Sequence, residues 1–138
     1  VTNSVPPGLG TGFDDVLGLK ILDLTPEGGR VQLIIKDELL QPWGIVHGGV
    51  YCSIIESLAS VSANAWLNAE GGGGRVVGVN NNTDFLRAIS SGTVTAVSTP
   101  IHRGRLQQLW LITITNEDDR LVARGQVRLQ NMPGAPPA

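Results

Sequence analysis

Two short segments of this chain could carry chemistry, and both lie on one predicted element. His47-Gly48-Gly49 opens the longest helix candidate, His47 to Asn68, which follows Pro42-Trp43-Gly44 and runs into Glu70 and the four glycines Gly71 to Gly74. The first N–H groups of a helix have no internal partner and sit at the positive end of its dipole. Two glycines there let a carbonyl oxygen come close to those donors, as an oxyanion hole requires. Glu56 lies eight residues on, and its carboxylate could serve as a general base or a nucleophile. The axial rise separates the two features by about 12 Å. One chain therefore cannot bring Glu56 to an oxygen held at Gly48, whereas two antiparallel copies of the helix could.

The face around Glu56 supports such a pairing. At roughly 100° per residue, Gly49, Cys52, Ser53, Ser57, Ser60 and Asn64 fall on the same arc as Glu56. Val50, Tyr51, Ile54, Ile55, Leu58, Val61, Ala65 and Trp66 fill the rest, with Ser62 the one polar residue among them. A solvent-facing arc would usually carry Lys, Glu and Arg, but here Glu56 is the one charge. Small side chains let another backbone or a ligand approach, so this face reads as covered. Cys52 reads as a small filler on it.

Composition points the same way. Only 16% of the 138 residues are charged, against a usual share of about 25%, and mean hydropathy is +0.09. A small monomer normally covers its large surface with charge, so part of this surface is expected to meet other copies of the chain. One cysteine cannot form an internal disulfide, and with two histidines it is too little for a Cys/His zinc site. Neither metal nor nucleic acid is expected, since a pI near 5.6 supplies no basic field. No apolar run approaches the length of a membrane span, and the first residues lack the charged-then-apolar pattern of a signal peptide. This reads as a cytoplasmic protein.

The elements that must position these residues form one domain, 13–131, between a loose arm (1–12) and a Pro-rich tail (132–138). A short helix is expected over Phe13 to Leu19. Two strands, Ile21 to Leu24 and Arg30 to Lys36, are joined by a Pro26-Glu27-Gly28-Gly29 turn. After the long helix come strands Arg75–Val79, Gly92–Ile101, Leu106–Asn116 and Arg120–Gln130. Leu109, Leu111, Thr113 and Thr115 alternate with Trp110, Ile112 and Ile114, and Asn116 to Asp119 form a hairpin turn. The fold class is α+β, with one helix on an antiparallel sheet.

Gln41, His47, Gly48, Glu56 and Ser60 stand at spacings of six, one, eight and four. On these residues the chain resembles the hotdog-fold acyl-CoA thioesterases, in the subgroup with a catalytic glutamate. Val76-Val77-Gly78, Phe85-Leu86-Arg87-Ala88 and Pro100-Ile101-His102-Arg103-Gly104-Arg105 extend the match over about residues 13 to 130. Within the family the pattern is most similar to 1,4-dihydroxy-2-naphthoyl-CoA and 4-hydroxybenzoyl-CoA thioesterases and to relatives acting on aryl carrier-protein thioesters.

The resemblance implies a role for each residue. Glu56 would be nucleophile or general base, and the Gly48 N–H would hold the oxyanion. Gln41 would polarise or steer the thioester carbonyl, His47 would orient the thioester or assist the leaving thiolate, and Ser60 would position water. Glu56 and Ser60 would come from the partner subunit of a homodimer, itself half of a dimer-of-dimers tetramer. Gly78, Phe85, Arg87, His102, Arg103, Gly104 and Arg105 would contact substrate or its coenzyme A, with arginines suited to phosphate oxygens. No cofactor is implied beyond the coenzyme A of the substrate. Phenylacetyl-CoA or fatty acyl-CoA are alternative substrates, although relatives with those specificities commonly carry aspartate where this chain has Glu56. A hotdog dehydratase would need a His-Phe-Pro-Gly segment, which is missing. A non-catalytic acyl-CoA-binding protein would have no need to retain Gln41, Glu56 and Ser60.

Overall fold

The structure is a computed structural model, and it describes residues 12–134. Helix α1 (Gly12–Leu17) leads into strands β1 (Lys20–Thr25) and β2 (Gly28–Ile34). A 3-10 turn (Asp37–Leu39) precedes helix α2 (Gly48–Leu67), and strands β3 (Arg75–Phe85), β4 (Thr93–Arg103), β5 (Gln107–Thr115) and β6 (Leu121–Met132) follow. All strands pair antiparallel in one sheet of order β1-β2-β4-β5-β6-β3. This is the α+β architecture expected, one long helix against one antiparallel sheet.

The core is the interface between α2 and the sheet. Ile54, Ile55, Leu58 and Ala59 of α2 are buried against Trp110, Ile112 and Ile114 of β5 and Val122, Ala123, Val127 and Leu129 of β6. The alternation read along β5 is the observed one, with Gln108, Trp110, Ile112 and Ile114 buried. Ser62, the polar residue on the apolar arc, is also buried. Its hydroxyl pairs with Ser98 Oγ at 2.7 Å, and Ser98 Oγ accepts from Gly29 N at 2.7 Å. A buried hydroxyl is tolerated when it is hydrogen-bonded, and this chain of bonds ties α2 to β4 and β2.

Several boundaries differ from expectation. Helix α1 ends at Leu17 because Gly18 turns left-handed at φ 82°. The β1–β2 turn uses only Pro26 and Glu27, since Thr25 already pairs with Gly28. Strand β3 continues six residues past Val79, through the Asn80-Asn81-Asn82 run to Phe85, paired along its length with β6. Asparagine is poor in strands by propensity, but pairing to the central part of the molecule overrides that here. Strand β6 reaches Met132, which pairs with Arg75. Of the arm and tail read from sequence, residues 1–11 and 135–138 lie outside the described residues.

Strand β3 has a free outer edge, and most of it is exposed, including Val77 and Val79 at 46% and 48%. No described helix is long and apolar enough to cross a membrane.

Candidate active site

The start of α2 leaves one backbone donor open. His47 is the N-cap, in extended conformation, and its Nδ1 accepts from Gly49 N at 2.8 Å. Val50 N donates to the His47 carbonyl at 2.9 Å. Among the described residues, Gly48 N–H has no acceptor. It is therefore the donor the helix presents outward, at the positive end of the dipole. Because Nδ1 accepts, the imidazole proton is assigned to Nε2, which makes the exposed His47 a donor on its outer side.

Gln41 enters the same corner through a tight turn. Gln41 N donates to Ile45 O at 2.7 Å, Gly44 N donates to Gln41 O at 2.9 Å, and His47 N donates to Leu39 O at 2.9 Å. Gly44 permits this turn at φ 88°. The Gln41 side-chain oxygen accepts from Trp43 N. That bond fixes the amide, leaving its NH2 group as the end with donors to offer.

Phe85 roofs the other side. Its ring lies against Gly48, where an added Cβ would stand 2.9 Å from Cζ. Beneath it is Tyr51, with ring centroids 6.3 Å apart. Tyr51 is buried, its hydroxyl has no partner among the described residues, and burial pushes its pKa up to about 12.

Glu56 is held further along α2, half-buried. Its Oε1 accepts from Asn81 Nδ2 at 3.1 Å, and the same amide nitrogen donates to the Cys52 carbonyl at 3.1 Å. Thr83 Oγ1 donates to Asn81 Oδ1 at 2.7 Å. Oε2 lies over the Gly78 backbone, and a methyl group at Gly78 would overlap it. Ser60 stands one turn beyond Glu56, half-buried. Gly78 is among the residues expected from sequence to contact substrate or coenzyme A, and Asn81 and Thr83 are not. Their signal was available in the polar Asn80-Asn81-Asn82-Thr83 run, which is unusual inside a strand.

The residues singled out thus occupy three stations along α2. His47, Gly48 and Phe85 meet at its N-terminus, with Gln41 in the adjoining turn that the Leu40–Val46 bridge closes, and Glu56 and Gly78 meet near its middle. Arg103 sits at its C-terminal end, with its guanidinium 5.6 Å from the Trp66 ring centroid. Arg103 Nη1 also donates to Pro26 O and Glu27 Oε1, each at 3.0 Å, so this side chain fastens the β1–β2 turn. Gly104 lies tight against His102, and the Gly104 and Arg105 carbonyls accept from Asn131 Nδ2. His102, Arg105 and Arg87 are exposed. Within one chain Gly48 and Glu56 remain about 12 Å apart along the axis.

A cleft of about 580 Å³ opens beside the N-terminal station. Phe13, Val16, Leu17, Leu39, Leu40 and Val50 line it together with the charged Lys36 and Glu38 and with His47, Gly49 and Ser53. Among the described residues no three His, Cys, Asp or Glu side chains group as metal ligands.

Comparison with known proteins places this architecture. The thioesterase superfamily model matches residues 44–123. A Mycobacterium tuberculosis protein named "putative esterase" is 62% identical over 124 residues, which is 90% of this chain and 89% of that one. Its solved structure superposes with a TM-score of 0.86, covering 90% of this chain and 98% of that one. A solved Haemophilus influenzae thioesterase is 32% identical, with a TM-score of 0.79 over 85% of this chain and 80% of that one. The 1,4-dihydroxy-2-naphthoyl-CoA hydrolase of Listeria monocytogenes is 32% identical over 111 residues, covering 80% of this chain and 88% of that one. With α2 wrapped by the six-stranded sheet, the chain belongs to the thioesterase superfamily and has its hotdog fold.

Proposed function

We propose that the protein hydrolyses an aryl-CoA thioester, of the kind represented by 1,4-dihydroxy-2-naphthoyl-CoA, to the free acid and coenzyme A. One observation carries the reading: among the described residues α2 presents an N–H at Gly48 and a carboxylate oxygen, Glu56 Oε2, that have no hydrogen-bond partner, eight residues apart. Two antiparallel helices centred on Cys52, midway between those positions, bring Glu56 of one protomer beside Gly48 of the other. The free edge of β3, with Val77 and Val79 half-exposed on it, supports such a homodimer.

In that site the thioester carbonyl oxygen accepts from Gly48 N–H, with the Gln41 amide as a second donor. Glu56 of the partner subunit either takes a proton from water held by Ser60 or attacks the carbonyl carbon itself. Negative charge then develops on the carbonyl oxygen, where a fixed donor at a helix start stabilises it more than water does. The carbon–sulfur bond breaks, coenzyme A departs as thiolate, and the His47 Nε2–H is placed to assist it. In the covalent variant, water afterwards cleaves the acyl-Glu56 anhydride.

The apolar side chains Phe13, Val16, Leu17, Leu39, Leu40 and Val50 in the cleft beside His47 support an acyl group with a large apolar part, with Lys36 and Glu38 as the charged groups on its wall. Arg87, His102 and Arg105 are exposed and available for coenzyme A phosphates, and Arg103 can join them by exchanging its surface pair with Glu27. The test is thiol release from benzoyl-, dihydroxynaphthoyl-, phenylacetyl- and fatty acyl-CoA. Highest kcat/KM on an aryl-CoA is expected, and no thiol release from any of the four contradicts the assignment. Preference for phenylacetyl- or fatty acyl-CoA would keep the chemistry and move the acyl specificity.

A further inference from the structure

We infer that Asn81, locked by Thr83, is a positioning residue that selects Oε2 of Glu56 as the reacting oxygen. The inference rests on the reading of Glu56 as the reacting carboxylate. A side-chain amide has one acceptor end and two N–H protons. Thr83 Oγ1 gives its proton to Asn81 Oδ1 at 2.7 Å, which turns the NH2 end toward α2. There the two protons meet two acceptors, Glu56 Oε1 and the Cys52 carbonyl, each at 3.1 Å. The amide is fully committed and has no proton left for a substrate, so it acts through Glu56. With Oε1 tethered, the remaining oxygen is the one above Gly78, where the absent side chain gives it room.

The strand geometry is built for this contact. The register of β3 against β6 shifts between Gly78 and Asn80, and such a bulge moves the following side chains to the opposite faces. Gly78 faces α2 before the bulge. After it, Asn81, Thr83 and Phe85 do, as their contacts with Glu56, Asn81 and Gly48 require. Strict alternation would have sent Asn80 and Asn82 toward the helix instead. Asn81 is exposed on a single protomer, where water competes for its bonds. A partner helix over this face excludes that water and strengthens them.

The experiment is steady-state thiol release by the dimeric protein and its variants on the best aryl-CoA substrate, with folding checked by thermal melting. Asn81→Ala is expected to lower kcat by between about tenfold and a hundredfold, with KM within about twofold because substrate binding is untouched. Thr83→Val should lower kcat less, and Thr83→Ser, which keeps the donor, should restore it. Asn81→Asp keeps the shape and tests the idea even where the alanine variant folds poorly. A second carboxylate beside Glu56 disfavours its ionised form, so the acid limb of the pH–kcat profile should move to higher pH. Cys52 is the titratable group one turn before Glu56 on α2, and β3 faces it with none at Gly78, Asn81 and Thr83. An Asn81→Ala enzyme with wild-type kcat, measured beside an inactive Glu56→Ala enzyme, overturns this inference and leaves the reading of Glu56 standing. A Thr83→Ser enzyme as impaired as Thr83→Val also overturns it. A fully active Glu56→Ala enzyme removes both.

Discussion

Glu56 Oε2 rests directly over the backbone of Gly78, in the space a side chain would take. The carboxylate is the flexible end of a long side chain, so an added methyl displaces it at little cost to the fold. Gly78→Ala is therefore expected to lower kcat by about tenfold or more through misplacement of the carboxylate, with KM and melting temperature close to wild type. Kinetics and a thermal melt on the same preparation check this. Equal loss of activity and stability would mean that the glycine serves the strand instead.

Tyr51 carries the opposite kind of imperfection, a buried hydroxyl with no partner among the described residues. Leaving such a group unpaired costs about 1–3 kcal/mol, so Tyr51→Phe should be at least as stable as wild type. Burial raises the phenol's pKa to about 12 from its ordinary 10. Above pH 10 the unfolded chain therefore loses a proton that the folded chain keeps, and stability falls as pH rises from about 10 to about 12. Melts across that range should show a decline that Tyr51→Phe lessens. As the one tyrosine in the chain, Tyr51 can also be titrated directly by tyrosinate absorbance.

Gln108 is a buried polar hub whose bonds are made. Its Nε2 donates to Ala63 O and Asn131 Oδ1, and its Oε1 accepts from Trp110 Nε1 at 2.8 Å. Gln108→Leu leaves the fully buried Trp110 N–H without its acceptor. A loss of about 2 kcal/mol is expected, read as a lower urea midpoint with unchanged slope. The kcat on an acyl-CoA should change little, because this bond network lies away from Gly48 and Glu56, while KM reports any shift of Arg105, whose carbonyl Asn131 holds.

The parts of the molecule governed by local chemistry were legible in the sequence. The glycine run after Asn68 and the cap at His47 bracketed α2 to within a residue of its observed ends. Trp110, Ile112 and Ile114 alternated with Leu109, Leu111 and Thr113, and β5 buries the set that includes Trp110. The family pattern through Gln41, His47, Gly48, Glu56 and Ser60 lay on and just before α2, the helix on which the site is proposed. What stayed hidden depends on non-local pairing. The length of β3 is set by β6 rather than by its own asparagine-rich sequence. The bulge after Gly78 decides which asparagine meets Glu56, and nothing in the run Asn80-Asn81-Asn82 distinguishes them locally. Ser62 looked misplaced because its partner, Ser98, lies 36 residues away. The contacts of Arg103 with Glu27 and Trp66 likewise form only in the folded chain.

The central claim is that two chains build each site, with Gly48 and His47 from one and Glu56 from the other. Mixing inactive Glu56→Ala and His47→Ala chains tests it most directly, by thiol release from an aryl-CoA. Random reassortment makes half the dimers mixed, and each mixed dimer has one intact site of two, so about a quarter of wild-type activity should return. Mixed dimers verified by mass that release no thiol would contradict the account.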